Sequence, residues 1–133
     1  DFSFSGLTTA AQEALKKYGL PDVCHSLQET AFAMLVEVTE RAVAHTGKNE
    51  VLLAGGVGAN TRLREMLNIM CEEREIDFYV PGKRFMGDNG AMIAWAGILA
   101  YKHGITVPVE KSMVKLKWRI DEVHVPWGWQ ETK

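Results

Sequence analysis

The sequence predicts an α/β fold in which helices alternate with short parallel strands. Two short apolar runs, at residues 50–54 and 76–80, each end at glycine or proline and are followed by a helical pattern. The first run lacks polar alternation, which is typical of a strand buried on both faces of a parallel sheet. The order helix, helix, strand, helix, strand, helix therefore predicts two parallel strands joined by a right-handed crossover.

Four segments have the periodicity and the end signals of helices. A glycine or proline follows the first and second of them, and a capping residue precedes the others. The predicted helices are residues 8–17 with Thr8 or Thr9 as cap, 22–46 ended by Gly47, one that begins at Asn60 or Thr61, and 89–102 capped by Asp88.

Two strands are few for four helices, because a stable sheet usually contains more. We therefore expect further strands of the sheet to precede residue 1, and the chain to be a fragment or a processed product. The domain prediction is a body at residues 1–105 and an extended tail at 106–133. The tail contains three of the four tryptophans, and its residues 118–120 and 123–125 are predicted to form short strands or extended arms.

Composition excludes several classes of protein. Of the 133 residues, 47% are hydrophobic and 24% are charged, which are ordinary globular values. The net charge of −2 provides no general attraction for a phosphate backbone. The longest apolar stretch, 91–101, is shorter than the roughly 20 residues of a membrane span. We therefore expect no membrane partner. Cys24 and Cys71 lack CxxC spacing, so we expect both to be reduced and buried, which fits a cytoplasmic setting.

The strongest local feature is the glycine-rich segment from Gly55 to Asn60, between the first strand and the third helix. Glycines let the backbone turn sharply and approach a ligand, and a helix start offers free N–H groups to phosphate. A tight turn that binds nothing is an equally good interpretation of this pattern alone. Asn60 is expected to cap the helix, to contact a ligand, or both.

A second feature is Asp88, between Gly87 and Asn89, after the second strand. On spacing alone, Asp88 is a helix N-cap. A carboxylate after the carboxyl end of a strand is also a position at which a metal or a phosphate-bound cation is held. Both interpretations stay open at this stage.

Several segments, in order and at compatible spacing, cover essentially the whole chain with one pattern. They are DFSFSGL at 1–7, SLQETAFA at 26–33, GGVGANTRLR at 55–64, FYVP at 78–81 and DNGAMIA at 88–94. This pattern resembles the universal threonylcarbamoyladenosine synthase family, called TsaD in bacteria, Kae in archaea and OSGEP in animals. Trp118, Arg119 and Asp121 in the tail resemble its archaeal and eukaryotic branch.

The resemblance implies an actin-like (ASKHA, ribonuclease H-like) fold, of which this chain is the carboxy-terminal part of the second domain. It implies transfer of threonylcarbamoyl from threonylcarbamoyl-AMP to N6 of the adenosine next to the anticodon, in ANN-decoding tRNA. Gly55, Gly56 and Asn60 match nucleotide-contacting positions, for ATP or the adenylate. Asp88 matches a ligand of one divalent metal, Fe or Zn, and no residue here matches a catalytic nucleophile.

The partners implied are subunits of the KEOPS assembly, including a kinase-like ATPase and a small dimerising subunit. One departure from the family is that the four histidines form no HxxxH pair, so the chain supplies one metal ligand at most and is predicted to be inactive alone. Another is Gly58, where many relatives have Ala or Ser.

Two alternatives to the transferase function are a non-catalytic docking module of that assembly and an actin-fold small-molecule kinase relative. Arg62 and Arg64 face either RNA or solvent.

Overall fold

A computed structural model describes residues 2–119 and 122–128 of the chain. The chain forms two compact units, Asp1–Gly87 and Asp88–Lys133. This division falls at a different place from the predicted boundary between 105 and 106, which stays a prediction about domain organisation. The fold class is confirmed: the chain combines helices with a short parallel sheet of two strands.

The first unit begins with two helices, α1 (Ser5–Ala14) and α2 (Leu20–Thr46). The predicted cap of α1 is wrong, because Thr8 and Thr9 lie inside the helix. Their hydroxyls donate to carbonyls one turn earlier, at 3.0 and 3.1 Å, instead of capping N–H groups. The end of α2 is as predicted, since Gly47 takes the left-handed conformation with φ 64°.

Strands β1 (Glu50–Leu52) and β2 (Asp77–Tyr79) pair in parallel, with Val51 opposite Phe78. Both are shorter than predicted. The expectation that both faces are buried is wrong for the described chain, because alternate residues point to opposite faces. Val51 and Phe78 pack against the core, whereas Leu52 and Tyr79 are 66% and 50% exposed.

The core lies between α2, the sheet and helix α3 (Thr61–Glu73), which connects the two strands. One face of α3 is apolar, and its inward residues meet a phenylalanine of α2. Cys71 is buried as predicted, but Cys24 is exposed on α2. The buried residues of this core cluster are Phe32, Leu63, Leu67, Met70 and Cys71.

The second unit contains helix α4 (Gly90–Lys102). Its N-cap is Asn89, whose side-chain oxygen accepts from the amide of Met92 at 2.8 Å. The prediction that Asp88 caps this helix is therefore wrong by one residue. None of the helices in the described ranges combines the length and apolar character needed to cross a membrane.

In the tail after α4, Val109–Lys111 forms a short 3₁₀ turn, and none of the described residues forms a strand. The ring centroids of His103 and Trp127 lie 5.5 Å apart, and Lys115 lies 5.0 Å above the ring of Trp118. The predicted strands at 118–120 and 123–125 are thus absent from the residues described there. Ile120 of the first segment lies outside the described residues, as do Asp121 and Trp129 elsewhere in the tail.

Candidate nucleotide-binding turn

The glycine-rich segment forms a tight turn between β1 and α3. Gly55 has φ 94° and ψ 168°, a conformation open essentially only to glycine. A 3₁₀ turn, Gly56–Ala59, follows at once. The amide of Gly58 donates to the carbonyl of Gly55 at 3.1 Å, and that of Asn60 donates to Val57 at 2.9 Å. These bonds fix the path of the chain into the helix.

Asn60 is the N-cap of α3, as predicted. Its Oδ1 accepts from the amides of Arg62 at 2.8 Å and Leu63 at 3.3 Å. Its Nδ2 donates to Oε1 of Gln28 on α2 at 3.2 Å, which fixes which end of the amide faces the helix. An amide nitrogen has two hydrogens, so Nδ2 retains donor capacity beyond this bond.

Arg64 turns back from α3 towards the glycine turn. Its Nε donates to the carbonyl of Gly58 at 2.6 Å. Its Nη2 is buried and has no hydrogen-bond partner among the described residues. The side chain is thus not fully solvated, so the solvent-facing interpretation is wrong for Arg64. The RNA-facing interpretation stays a prediction.

Gly58 is buried at the base of the turn. A Cβ at this position would lie 2.6 Å from Cε of Met86 and 3.2 Å from Cγ of Leu53. Met86 is itself buried, so an alanine or serine at position 58 would require its methyl group to move. The small residue at Gly58 and the methionine at Met86 therefore fit each other.

Arg62 anchors the start of α3 to α2. Its Nε and Nη2 donate to the two carboxylate oxygens of Glu29, each at 2.8 Å, and its Nη1 donates to Glu65 at 2.8 Å. These hydrogen bonds raise the pKa of Arg62 and lower that of Glu29 below its ordinary 4.5. Pairing with Glu65 agrees with the solvent-facing interpretation of Arg62, and the bond to Glu29 adds a structural role.

Asp88 is exposed and is the first residue of the second unit. Asn60 belongs to the first unit. The nucleotide contact of Asn60 and the metal contact of Asp88, both implied by the resemblance, stay predictions. Among residues 2–119 and 122–128, no group of three or more His, Cys, Asp or Glu side chains is placed to hold a metal ion. The described residues therefore fit a metal only through the single carboxylate of Asp88.

Sequence reasoning missed three residues that support the turn: Gln28, Arg64 as a turn contact, and Met86. Gln28 and Arg64 lie in two of the segments that carried the family resemblance, so a signal was available. It did not specify which groups meet: Gln28 contacts Asn60, 32 positions away, and Arg64 reaches back to the carbonyl of Gly58. Met86 carried no such signal.

The fold and the turn define a class: an α/β protein with a parallel β–α–β unit and a glycine turn at the start of its crossover helix. The family model described as "TsaD: tRNA N6-adenosine threonylcarbamoyltransferase" matches residues 1–95. The chain belongs to this family, and its helices and two-stranded sheet are part of the family's actin-like domain.

Curated relatives cover nearly the whole chain. A "Probable bifunctional tRNA threonylcarbamoyladenosine biosynthesis protein" of Methanosarcina acetivorans is 70% identical over 127 residues, covering 96% of this chain and 23% of that protein. Two proteins described as "tRNA N6-adenosine threonylcarbamoyltransferase" are similar to this chain: that of Methanococcoides burtonii is 68% identical to it, and that of Archaeoglobus fulgidus 61%. Each match covers 96% of this chain, and the two matches cover 38% and 40% of the length of the respective relatives. The chain thus spans well under half the length of these relatives.

Proposed function

We propose that this chain forms part of a tRNA N6-adenosine threonylcarbamoyltransferase, which moves threonylcarbamoyl from threonylcarbamoyl-AMP to the adenosine next to the anticodon. The observation that carries the proposal is the family match over residues 1–95, together with identities of 68% and 61% to two relatives described as tRNA N6-adenosine threonylcarbamoyltransferase. The family found is that of a transferase and not that of a small-molecule kinase.

The proposed role of the turn is to hold the phosphate part of the adenylate. Gly55 and Gly56 leave the backbone accessible, and the positive dipole end of α3 favours an anion. Asn60 is rigidly placed by three hydrogen bonds and retains donor capacity at Nδ2. Positioning of the adenylate lowers the barrier by orienting its reactive carbonyl for attack by the adenine nitrogen.

Asp88 is proposed to supply one oxygen ligand to a divalent metal of the Fe or Zn type. Its carboxylate is exposed and is not used to cap α4, because Asn89 performs that role. A metal bound there would polarise the threonylcarbamoyl carbonyl as a Lewis acid. One carboxylate holds such a metal weakly, so the remaining ligands have to come from outside this chain.

The test is threonylcarbamoyl transfer to an ANN-decoding tRNA, measured with the longest natural chain that contains this sequence. Asn60→Asp keeps the capping oxygen but loses the donor and adds a negative charge beside the phosphate. We expect it to raise the KM for the adenylate at least about tenfold at an unchanged unfolding temperature. Asn68→Asp on the exposed face of α3 is the matched control. Wild-type-like kinetics of Asn60→Asp would contradict the adenylate site.

The metal proposal has its own test. Asp88→Asn is expected to lower the metal content of the purified protein and its transfer rate together, because the amide is a weaker metal ligand. Asp77→Asn on strand β2 is the control for the same change at another exposed aspartate. Full metal content in Asp88→Asn would contradict the assignment. The 133-residue chain alone is expected to show no transfer, and robust transfer by it would overturn that expectation.

A second function, docking other subunits of the KEOPS assembly, is favoured by the apolar surface of the second unit. Ile93, Trp95 and Tyr101 of α4 are exposed, and Val114 and Leu116 of the tail are 85% and 93% exposed. Exposed apolar surface of this kind marks sites of contact with other chains or other parts of a protein. Capture of the kinase-like ATPase or the small dimerising subunit, lost on deletion after Val107, is the expected result.

A further inference from the structure

Arg64 of α3 contacts the glycine turn, and the proposed function does not yet give it a role. Position 64 lies within the first turns of α3, where the helix dipole is positive and a cation is disfavoured. Arg62 shares this location, but Glu29 and Glu65 neutralise it. No carboxylate among the described residues pairs with Arg64. An unneutralised cation at this end of a helix needs a physical reason.

The first part of the reason is the carbonyl of Gly58. It lies where the 3₁₀ turn gives way to α3, and the amide of Arg62, one helical turn ahead, donates instead to the side chain of Asn60. The carbonyl of Gly58 accepts from Nε of Arg64 at 2.6 Å. A bond from a charged donor is roughly twice as strong as one between neutral groups. Arg64 therefore fixes the junction between the two helical segments.

The second part is charge. Nη2 of Arg64 is buried and unpaired within the described chain, so the guanidinium is partly removed from water beneath the turn. A cation in such a place acts more strongly on a nearby anion than a surface cation does, since solvent screens it less. Together with the positive end of α3, it makes the turn favourable for an anion and unfavourable for a second cation.

We propose that Arg64 is the positioning residue of the adenylate-binding turn: it holds the Gly58 carbonyl and provides the positive charge that selects a phosphate group over a neutral ligand. This inference rests on the proposed function, because it assigns a role at the same turn. It adds that recognition at the turn is directed at the phosphate of the adenylate and not at its base or ribose.

The experiment compares the affinities of AMP and adenosine by calorimetry, in the longest natural chain that contains this sequence. Arg64→Met removes both the bond and the charge, Arg64→Gln retains a donor without charge, and Arg64→Lys retains the charge. We expect Arg64→Met to weaken AMP binding by about tenfold or more and adenosine binding by less than about threefold. Arg64→Lys is expected to bind AMP more tightly than Arg64→Gln.

The matched control is Arg74→Met, at the other end of α3, where the arginine pairs with Glu40 of α2. It removes an arginine that ties α3 to α2 away from the turn, and we expect an unchanged ratio of AMP to adenosine affinity. The selective loss of AMP is the signature that a purely structural role would not produce. If Arg64→Met does not fold, Arg64→Gln and Arg64→Lys carry the same comparison.

Three outcomes would overturn the inference. Unchanged AMP affinity in folded Arg64 variants, or equal losses for AMP and adenosine, would contradict a phosphate-directed role while leaving the adenylate site itself intact. Tighter AMP binding by Arg64→Gln than by Arg64→Lys would contradict the role of charge. Failure of the wild-type protein to bind AMP would instead contradict the proposed function, and this inference with it.

Discussion

Helices α3 and α4 begin in the same way but have different surroundings. Each follows a loop containing glycine and is capped by an asparagine, Asn60 or Asn89. The cap of α3 accepts from two amides and donates to α2, and the helix buries four residues. In α4 no residue is buried, and exposed apolar side chains lie along it, including Trp95 and Tyr101.

This difference shows that a local capping signal determines where a helix begins but not which surfaces it packs against. α3 is amphipathic, so its apolar face finds partners in α2 and the sheet. α4 is apolar on nearly every side, which is typical of a helix at the centre of a larger structure. The first unit therefore contains its own packing, whereas α4 needs a surface that the described residues of its unit do not supply.

The largest expected effect separates the two helices by their packing. Leu67→Ala opens a cavity in the core of α3, where Leu67 is 4% exposed, and should lower the free energy of unfolding by about 2–5 kcal/mol. Ile93→Ala on α4, where Ile93 is 66% exposed, should change it by less than about 0.5 kcal/mol in this chain. Urea denaturation of both variants measures the contrast.

The same pair sharpens the comparison in the longest natural chain that contains this sequence. If other residues or subunits cover α4 there, Ile93→Ala becomes costly, while the effect of Leu67→Ala stays the same. An equally small effect of Ile93→Ala in both chains would mean that its side of α4 remains in solvent. A small effect of Leu67→Ala would contradict the core described for the first unit.

The glycines of the two regions should respond in opposite directions to the same change. Gly55→Ala places a Cβ on a backbone at φ 94°, which costs about 1–3 kcal/mol of stability. Gly97→Ala in α4 meets no atom within 4 Å and should stabilise the helix by about 0.5–1 kcal/mol. Thermal unfolding measures both, and a neutral Gly55→Ala would refute the strained conformation of the turn.

The sequence predicted the parallel strands, the glycine turn and the Asn60 cap because each depends on neighbouring residues. Gly47 ends α2 and Gly55 begins the glycine turn, each through its own positive-φ backbone conformation. The error at Asp88 had a local cause: two good capping residues stand side by side, and the structure uses Asn89. Propensity ranks these two residues almost equally, so the pattern had no means of choosing.

What the sequence did not predict depends on contacts between distant segments. The bonds from Asn60 to Gln28 and from Arg62 to Glu29 join α2 and α3 across more than 30 residues. Exposure of the outer face of the sheet was also missed, since an apolar run signals burial without naming what covers it. Periodicity gives the face of an element, and only packing gives its partner.

The two caps provide a smaller test of the comparison. Asn60→Ala removes two cap bonds and the bond to Gln28, and should cost about 1–2 kcal/mol of stability. Asn89→Ala removes a single, exposed cap bond to Met92 and should cost about 0.5–1 kcal/mol. Urea denaturation compares the two, and a larger effect at Asn89 would reverse the ranking of the two regions.

The smallest expected effect is the pH dependence of the contact between Glu29 and Arg62. The hydrogen bonds to Arg62 lower the pKa of Glu29 in the folded chain below its ordinary 4.5, so the folded state binds its proton less readily than the unfolded state. The stabilisation by the contact between Glu29 and Arg62 is therefore complete above about pH 4.5 and is lost as the pH falls through the folded pKa.

Glu29→Gln should flatten this acid-side loss of stability in urea midpoints measured between pH 3 and 7. Glu13→Gln, in the exposed pair with Lys16 on α1, is the control. An unchanged acid-side slope in Glu29→Gln would show that Arg62 anchors α3 to α2 by packing and not by charge.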